Sequence, residues 1–102
     1  MRNFILIKVF GNTVRVKVIE VLLAHLISNK ETWLNLSEIA RRANISVSSS
    51  KRIVDQLIEE EYVDLHHIET HAKNPEKEVR LNVDNKIVNE LVFFYRKIKG
   101  FI

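Results

Sequence analysis

The side chains best suited to chemistry form a short polar run in the middle of the chain. Ser46, Ser48 and Ser49 carry hydroxyl groups, and the cations Lys51 and Arg52 follow closely. Hydroxyl groups can donate to phosphates or base edges, and an arginine can form two hydrogen bonds with guanine. Such residues on the first turns of a helix are typical of a helix that enters the major groove of DNA. Their alternative role is that of a capped, solvated helix start.

Two short helices joined by a tight turn are predicted to position this run. The first spans about residues 37–43, and either Ser37 or Asn35 can cap its start. Asn44 occupies the turn, where the backbone often enters the left-handed region. The second helix spans residues 46–60 and turns an apolar face inward. Its predicted core positions are Ser50, Ile53, Val54 and Leu57.

An earlier helix is predicted from about Thr13 to Ser28, because apolar residues recur there with helical spacing. Asn12 is its predicted cap. The alternating apolar residues between 5 and 18 leave a hairpin as the competing interpretation. The segment before Gly11 is consistent with either a strand or an extra helix.

The second half of the chain predicts a hairpin and a final helix. Residues 62–68 and 78–83 alternate between polar and apolar types, as half-buried strands do, and a polar Asn-Pro loop joins them. Asp84 is the predicted cap of a helix over residues 85–99. The strand positions expected to face inward are Val63, Leu65, Val79, Leu81 and Val83.

Composition narrows the class of protein. The 102 residues include no cysteine, which excludes disulfides and thiolate metal sites. Neither a signal peptide nor an apolar run of roughly 20 residues is present, so we expect a cytoplasmic protein without membrane association. The net charge of +3 is unevenly spread: residues 36–54 hold four basic residues and one acid, whereas residues 55–69 hold six acids. This reversal favours the start of the 46–60 helix as a surface for nucleic acid.

Three helices followed by a hairpin form the winged helix-turn-helix arrangement. Residues 36–63 resemble the winged-helix transcriptional regulators of the multiple-antibiotic-resistance and arsenic-repressor types, found in archaea and bacteria. The resemblance rests on Leu-Ser-Glu-Ile-Ala at 36–40, on Ile45-Ser46, and on Arg52 with the run at 53–57. It implies an α+β, mostly helical fold with a C-terminal dimerisation helix. A single domain over 1–102 would contain a winged-helix core at 12–83 and that helix at 84–102.

Three residues depart from the pattern of these regulators. Asn44 replaces a common glycine, which is a tolerable change because asparagine visits the left-handed region. Ser50 replaces a buried valine or isoleucine, and we expect a weaker contact there. Glu61 stands where glycine usually ends the second helix, which predicts a strained or differently built turn.

The resemblance implies further DNA contacts outside the 46–60 helix. Arg41, Arg42 and Ser37 on the preceding helix would approach the phosphate backbone, although the two arginines can equally balance Glu38. Cations of the hairpin would reach a minor groove or flanking phosphates. Arg15 and Lys17 are expected to add a contact from the earlier helix. The hairpin cations are Lys73, Lys77 and Arg80.

The last helix has more apolar residues than one buried face needs, so we expect it, together with the N-terminal segment, to form a dimer surface. The alternative is that it packs within the subunit against the 13–28 helix. A two-fold dimer would present two helices to successive major grooves. The expected dimer residues are Ile87, Leu91, Phe94, Tyr95 and Ile98.

Metal binding and catalysis have little support in the sequence. His67, Glu69 and His71 share one face of the first predicted strand, but neighbours on such a face are about 6.5–7 Å apart, too far for three adjacent ligands. No nucleophile elbow, phosphate-binding loop or dinucleotide fingerprint occurs. We therefore expect no metal, no cofactor and no enzymatic activity.

The sequence favours a homodimeric regulator of transcription that binds double-stranded DNA sequence-specifically through residues 46–60. A winged-helix module that contacts proteins of transcription or replication is the main alternative, because the end of this helix is acidic. A metal-responsive repressor is a weaker one.

Overall fold

The computed structural model describes residues 4–28, 33–68 and 76–100. All helices in these ranges are too short or too polar to cross a bilayer. The elements in chain order are α1 (Ile7–Phe10), α2 (Val14–Ser28), β1 (Leu34–Asn35), α3 (Leu36–Ala43), α4 (Val47–Glu59), β2 (Val63–Ile68), β3 (Glu76–Leu81) and α5 (Lys86–Ile98). This is the predicted α+β, mostly helical arrangement of a winged helix-turn-helix protein.

The strands form a small antiparallel sheet in the order β1-β3-β2. In the register, Leu34 lies opposite Val79 on one side, and Leu65 lies opposite Val79 on the other. Strand β1 was not predicted, because two residues are too few to show alternation. It places β3 in the centre of the sheet, where Val79 is fully buried.

Two of the strand positions expected to face inward are exposed. Leu65 is 38% exposed, and it lies on β2, an edge strand of the three-stranded sheet that the described residues form. Val83 is 51% exposed because β3 ends at Leu81, two residues earlier. The other predicted inward positions, Val63, Val79 and Leu81, are buried.

Local hydrogen bonds set the helix starts and correct two predicted caps. Thr13, rather than Asn12, accepts from the backbone N–H of Val16 through its Oγ1 atom, at 3.2 Å. Asn85, rather than Asp84, accepts from the N–H groups of Ile87 and Val88. In each case the observed cap lies one residue after the predicted one, a shift that is common at helix ends.

The N-terminal segment forms a helix rather than a strand. The competing hairpin over residues 5–18 is not formed: the segment before Gly11 contains the short helix α1. Gly11 has φ of 100°, a conformation that L side chains rarely adopt, and it ends α1 immediately before α2.

A buried carboxylate on α2 binds both the segment before α1 and α5. Glu20 is only 3% exposed. Its carboxylate accepts from the backbone N–H groups of Ile5 at 3.1 Å and Leu6 at 2.7 Å, and from the Tyr95 hydroxyl at 3.1 Å. Burial and then the charge of Glu20 raise the pKa of Tyr95, so its hydroxyl stays protonated. Tyr95 was predicted on a dimer surface, and that assignment is wrong because the side chain belongs to the core of one subunit.

Ser50, where a valine or isoleucine is usual, makes a polar contact between α3 and α4. The side chain is completely buried, and its hydroxyl donates to the backbone oxygen of Leu36 at 3.0 Å. A buried hydroxyl that finds such a partner avoids the cost of an unsatisfied polar group. The hydrogen bond ties the first turn of α4 to the first residue of α3.

Two residues other than glycine have positive φ, and both lie in turns next to α4. Asn44, between α3 and α4, has φ of 58°, as predicted. Glu61, after α4, has φ of 64°, so the predicted strained turn is present. Its backbone oxygen accepts from the side-chain amides of Asn82 and Asn85, at 3.1 and 3.2 Å. These two hydrogen bonds hold the strained backbone conformation in place.

We expect Glu61→Gly to raise the free energy of unfolding by about 0.5–1 kcal/mol, because glycine adopts positive φ without a steric penalty. Urea unfolding monitored by circular dichroism is the measurement. Asn44→Gly is the matched control and should change stability less, since asparagine tolerates this region. A destabilised Glu61→Gly protein would show that the Glu61 side chain, rather than backbone strain, governs this turn.

Candidate nucleic-acid interface

The first turns of α4 lie on the surface, as predicted. Ser48, Lys51 and Arg52 are exposed and Ser49 is partly exposed. The opposite side of α4 is held in the core by residues that are at most 3% exposed, and these are Ser50, Ile53, Val54 and Leu57. The structure therefore presents a cationic helix start on a rigid support.

Ser46 organises the hydroxyl groups at this helix start. Its Oγ accepts from the backbone N–H of Ser49 at 3.1 Å, which is the predicted cap. The same hydroxyl lies 2.9 Å from the Oγ of Ser49, to which it donates, and 3.3 Å from the Oγ of Ser48. The Ser49 hydroxyl, having accepted, can donate its own proton outward to an acceptor such as a phosphate oxygen.

The two cations of α4 differ in their partners. Lys51 forms an ion pair with Asp55 at 2.8 Å, and both side chains are about half exposed. A pair of this kind at i and i+4 is worth only about 0.3–0.5 kcal/mol, so a phosphate can displace it easily. Arg52 is exposed and forms no ion pair with any residue that the structure describes. Arg52 is therefore the cation on this surface most available to a ligand.

Arg41 and Arg42 both bind the carboxylate of Glu38, so the interpretation as balancing charges is the one seen in the subunit. Arg41 donates to it with two nitrogens, and Arg42 donates with Nε at 2.8 Å. The hydrogen bond from Arg41, then that from Arg42, lowers the pKa of Glu38 to about 2, and the carboxylate is ionised at neutral pH. Arg42 also lies 3.1 Å from Nδ1 of His25. Ser37 is exposed at the start of α3.

The wing formed by β2 and β3 holds its arginine in an aromatic cluster. The Arg80 guanidinium lies 4.5 Å from the ring centre of Trp33, and its Nε is 3.4 Å from the Asp64 carboxylate. The Trp33 ring lies 4.9 Å from that of His66. Arg80 is therefore engaged within the wing. Lys77 is partly buried, and Lys73 lies outside the described residues.

Trp33 has a place on this surface that sequence reasoning did not assign. It immediately precedes β1, and continuing the β1–β3 register places it beside Arg80. Only knowledge of β1 reveals this neighbour, because Trp33 and Arg80 are distant in sequence.

Of the three residues expected on one strand face, His67 is the one that lies in β2 within the described residues. His66 and His67 point to opposite faces of β2, and His66 lies 3.5 Å from the Glu78 carboxylate. Glu69 and His71 lie outside the described residues. Within the described ranges, no group of three or more histidine, aspartate or glutamate side chains is arranged to hold a metal ion.

Arg15, which was expected to contact phosphate, joins α2 to the end of α4 instead. Its guanidinium lies 2.8 Å from Glu60 and donates to the side-chain oxygen of Gln56 at 3.3 Å. Lys17 lies on a different side of α2, near the end of α3, where it lines a cleft with Arg41 and Arg42.

A helix-turn-helix with an exposed cationic second helix and a two-stranded wing defines the winged-helix class. No family model matches the sequence, and comparison with curated proteins gives no match. Solved structures match in fold. A candidate transcriptional regulator from Methanosarcina mazei has a TM-score of 0.63 over 87% of this chain and 73% of its own, at 15% identity.

Two further structures show the same likeness. A candidate DNA-binding protein from Ralstonia eutropha has a TM-score of 0.62 over 78% of this chain and 95% of its own, at 25% identity. A MarR family transcriptional regulator from Silicibacter pomeroyi has a TM-score of 0.58 over 87% of this chain and 52% of its own, at 20% identity. The resemblance to winged-helix regulators that the sequence indicated is confirmed in the fold.

Proposed function

We propose that this protein is a transcriptional regulator that binds double-stranded DNA sequence-specifically, as a homodimer, with α4 in the major groove. The observation that carries the proposal is the exposed start of α4, where Arg52 has no ion-pair partner among the described residues. An arginine on the outer side of such a helix can bond guanine with two nitrogens. The regulators and the DNA-binding protein that share this fold support the same conclusion.

The charge along α4 supports this orientation on DNA. Its first turns carry Lys51 and Arg52, whereas acidic residues gather at its end. Glu60 is held there by Arg15 of α2. A phosphate backbone is attracted to the first end and repelled by the second, so the start of the helix faces DNA. Ser48 and Ser49 would donate to phosphates beside the two cations.

An exposed apolar surface on α1 and α5 supports the homodimer. Phe10 and Phe94 contact each other edge to face, with ring centres 6.1 Å apart, and Phe10 is still 53% exposed. Ile87 and Ile98 lie on the same side of α5 as Phe94 and are 54% and 42% exposed. Leu91 joins them while also packing against the core. Contiguous exposed apolar side chains typically mark interfaces, and a second copy would cover them symmetrically.

Selection of bound sequences from a pool of random duplexes tests both parts of the proposal. We expect enrichment of an inverted repeat whose half-sites are about 10–10.5 base pairs apart, because a two-fold dimer presents its recognition helices one helical turn apart. Sedimentation equilibrium of the free protein should give the mass of two chains. A pool without enrichment would contradict the DNA-binding proposal and favour the protein-interaction module.

A pair of variants separates the dimer from DNA recognition. Ile87→Glu places a charge in the apolar surface and should give monomers that bind a single half-site weakly. Phe93→Glu is the matched control: Phe93 is 51% exposed but lies about 120° from Ile87 around the axis of α5. If Phe93→Glu gives monomers and Ile87→Glu does not, the dimer uses another face of the helix.

A further inference from the structure

A second basic surface lies apart from the start of α4. Residues near α1, the start of α2 and the end of α3 enclose a cleft of about 900 Å³. Four cations from these three elements line it, and none of the described residues lining it is acidic. The cations are Lys8, Lys17, Arg41 and Arg42.

The charge of this cleft is only partly balanced within the subunit. Glu38 binds both Arg41 and Arg42, so one carboxylate serves two guanidinium groups. Lys8 and Lys17 form no ion pair within the described part of the chain. Like charges gathered around a partly enclosed space repel one another, and a bound multivalent anion relieves that repulsion.

The rest of the lining is apolar or neutral. These residues are Phe4, Ile5, Ile7, Asn12, Ala43 and Asn44. The volume lies in the range of pockets that hold small organic ligands, which are typically apolar with a few well-placed polar groups. A guanidinium can bind phosphate with two nitrogens and can stack on an aromatic ring.

We propose that this cleft binds a small phosphate-bearing molecule with an apolar or aromatic part, of the nucleoside phosphate class. Arg41, Lys8 and Lys17 hold the phosphates. The apolar side chains of Phe4, Ile5 and Ile7 receive the base. A bound phosphate competes with Glu38 for Arg41 and Arg42. Both arginines lie in the last turn of α3, next to the Asn44 turn, so binding in the cleft is coupled to the helix-turn-helix. Phosphates of a DNA backbone have the same chemistry, so binding is measured with both ADP and duplex DNA.

Isothermal titration calorimetry of the full chain with ADP, without metal ions, tests the proposal. We expect ADP to bind, adenosine to bind far more weakly, and pyrophosphate to lie between them. Lys8→Gln, Lys17→Gln and Arg41→Gln should each weaken ADP binding about tenfold, as expected for one charge-assisted hydrogen bond. Lys97→Gln removes an exposed cation at the end of α5, outside the cleft, and should leave ADP binding unchanged.

Arg42 is left unaltered because it is partly buried against Glu38 and His25. Lys8 is exposed, and its replacement leaves the core intact, so that variant reports on binding even if another unfolds. Absence of ADP binding, or equal weakening by Lys97→Gln, would overturn the proposal. It would also be overturned if the cleft variants weakened duplex binding while ADP failed to bind, because the cleft would then serve the DNA backbone.

Discussion

Replacing both Lys51 and Arg52 with alanine should lower the affinity for a selected duplex by about a hundredfold or more, since each good base or phosphate contact is worth about 1–3 kcal/mol. The two cations lie on the exposed first turns of α4, and the buried side of that helix is unaffected by the change. Fluorescence anisotropy with a labelled duplex at several salt concentrations is the measurement.

The single variants should differ in character. Lys51 exchanges Asp55 for a phosphate, so its loss should weaken binding to all sequences and reduce the log–log salt slope by about 0.9. Arg52 has no ion-pair partner among the described residues and is the candidate for base recognition, so its loss should reduce discrimination between the selected and a scrambled site. The difference would separate positioning from sequence recognition on one helix face.

Arg96→Ala with Lys97→Ala is the matched control, because it removes the same two residue types from the exposed end of α5. Affinity should then fall only slightly, through the change in net charge. Unchanged DNA binding in the Lys51/Arg52 double variant would contradict the assignment of α4 as the recognition helix. The wing or the basic cleft would then be the candidate DNA-binding surface.

The sequence was sufficient for the parts of this site that depend on local interactions. The Ser46 cap, the left-handed turn at Asn44 and the buried face of α4 are each set by residues within a few positions of one another. Such short-range signals can be read directly. They determine which side of α4 is exposed, and hence which cations are available.

The sequence was insufficient where contacts join distant segments. Glu20 and Tyr95 are 75 residues apart, so an aromatic residue on a helix with an apolar stripe was interpreted as part of a dimer surface. The approach of Arg80 to Trp33 was not predicted either, because β1, which places the two side by side, was not predicted. In both cases the residue type was compatible with two environments, and only the tertiary arrangement decides between them.

Glu20→Ala should lower the free energy of unfolding by about 3–5 kcal/mol, because it leaves three donors without their acceptor inside the core. Those donors are the N–H groups of Ile5 and Leu6 and the Tyr95 hydroxyl. Tyr95→Phe removes only one of these hydrogen bonds and should cost about 1–2 kcal/mol. Urea unfolding at neutral pH and fixed protein concentration provides both values.

The double variant of Glu20→Ala with Tyr95→Phe should cost less than the sum of the single changes, since the two residues share one hydrogen bond. Strict additivity would contradict the contact. Because Glu20 fixes both the segment that leads into α1 and the C-terminal part of α5, it also holds in place the elements that carry Phe10 and Phe94. Glu20→Ala should therefore weaken the homodimer as well as the fold, whereas Glu61→Gly should leave the dimer intact.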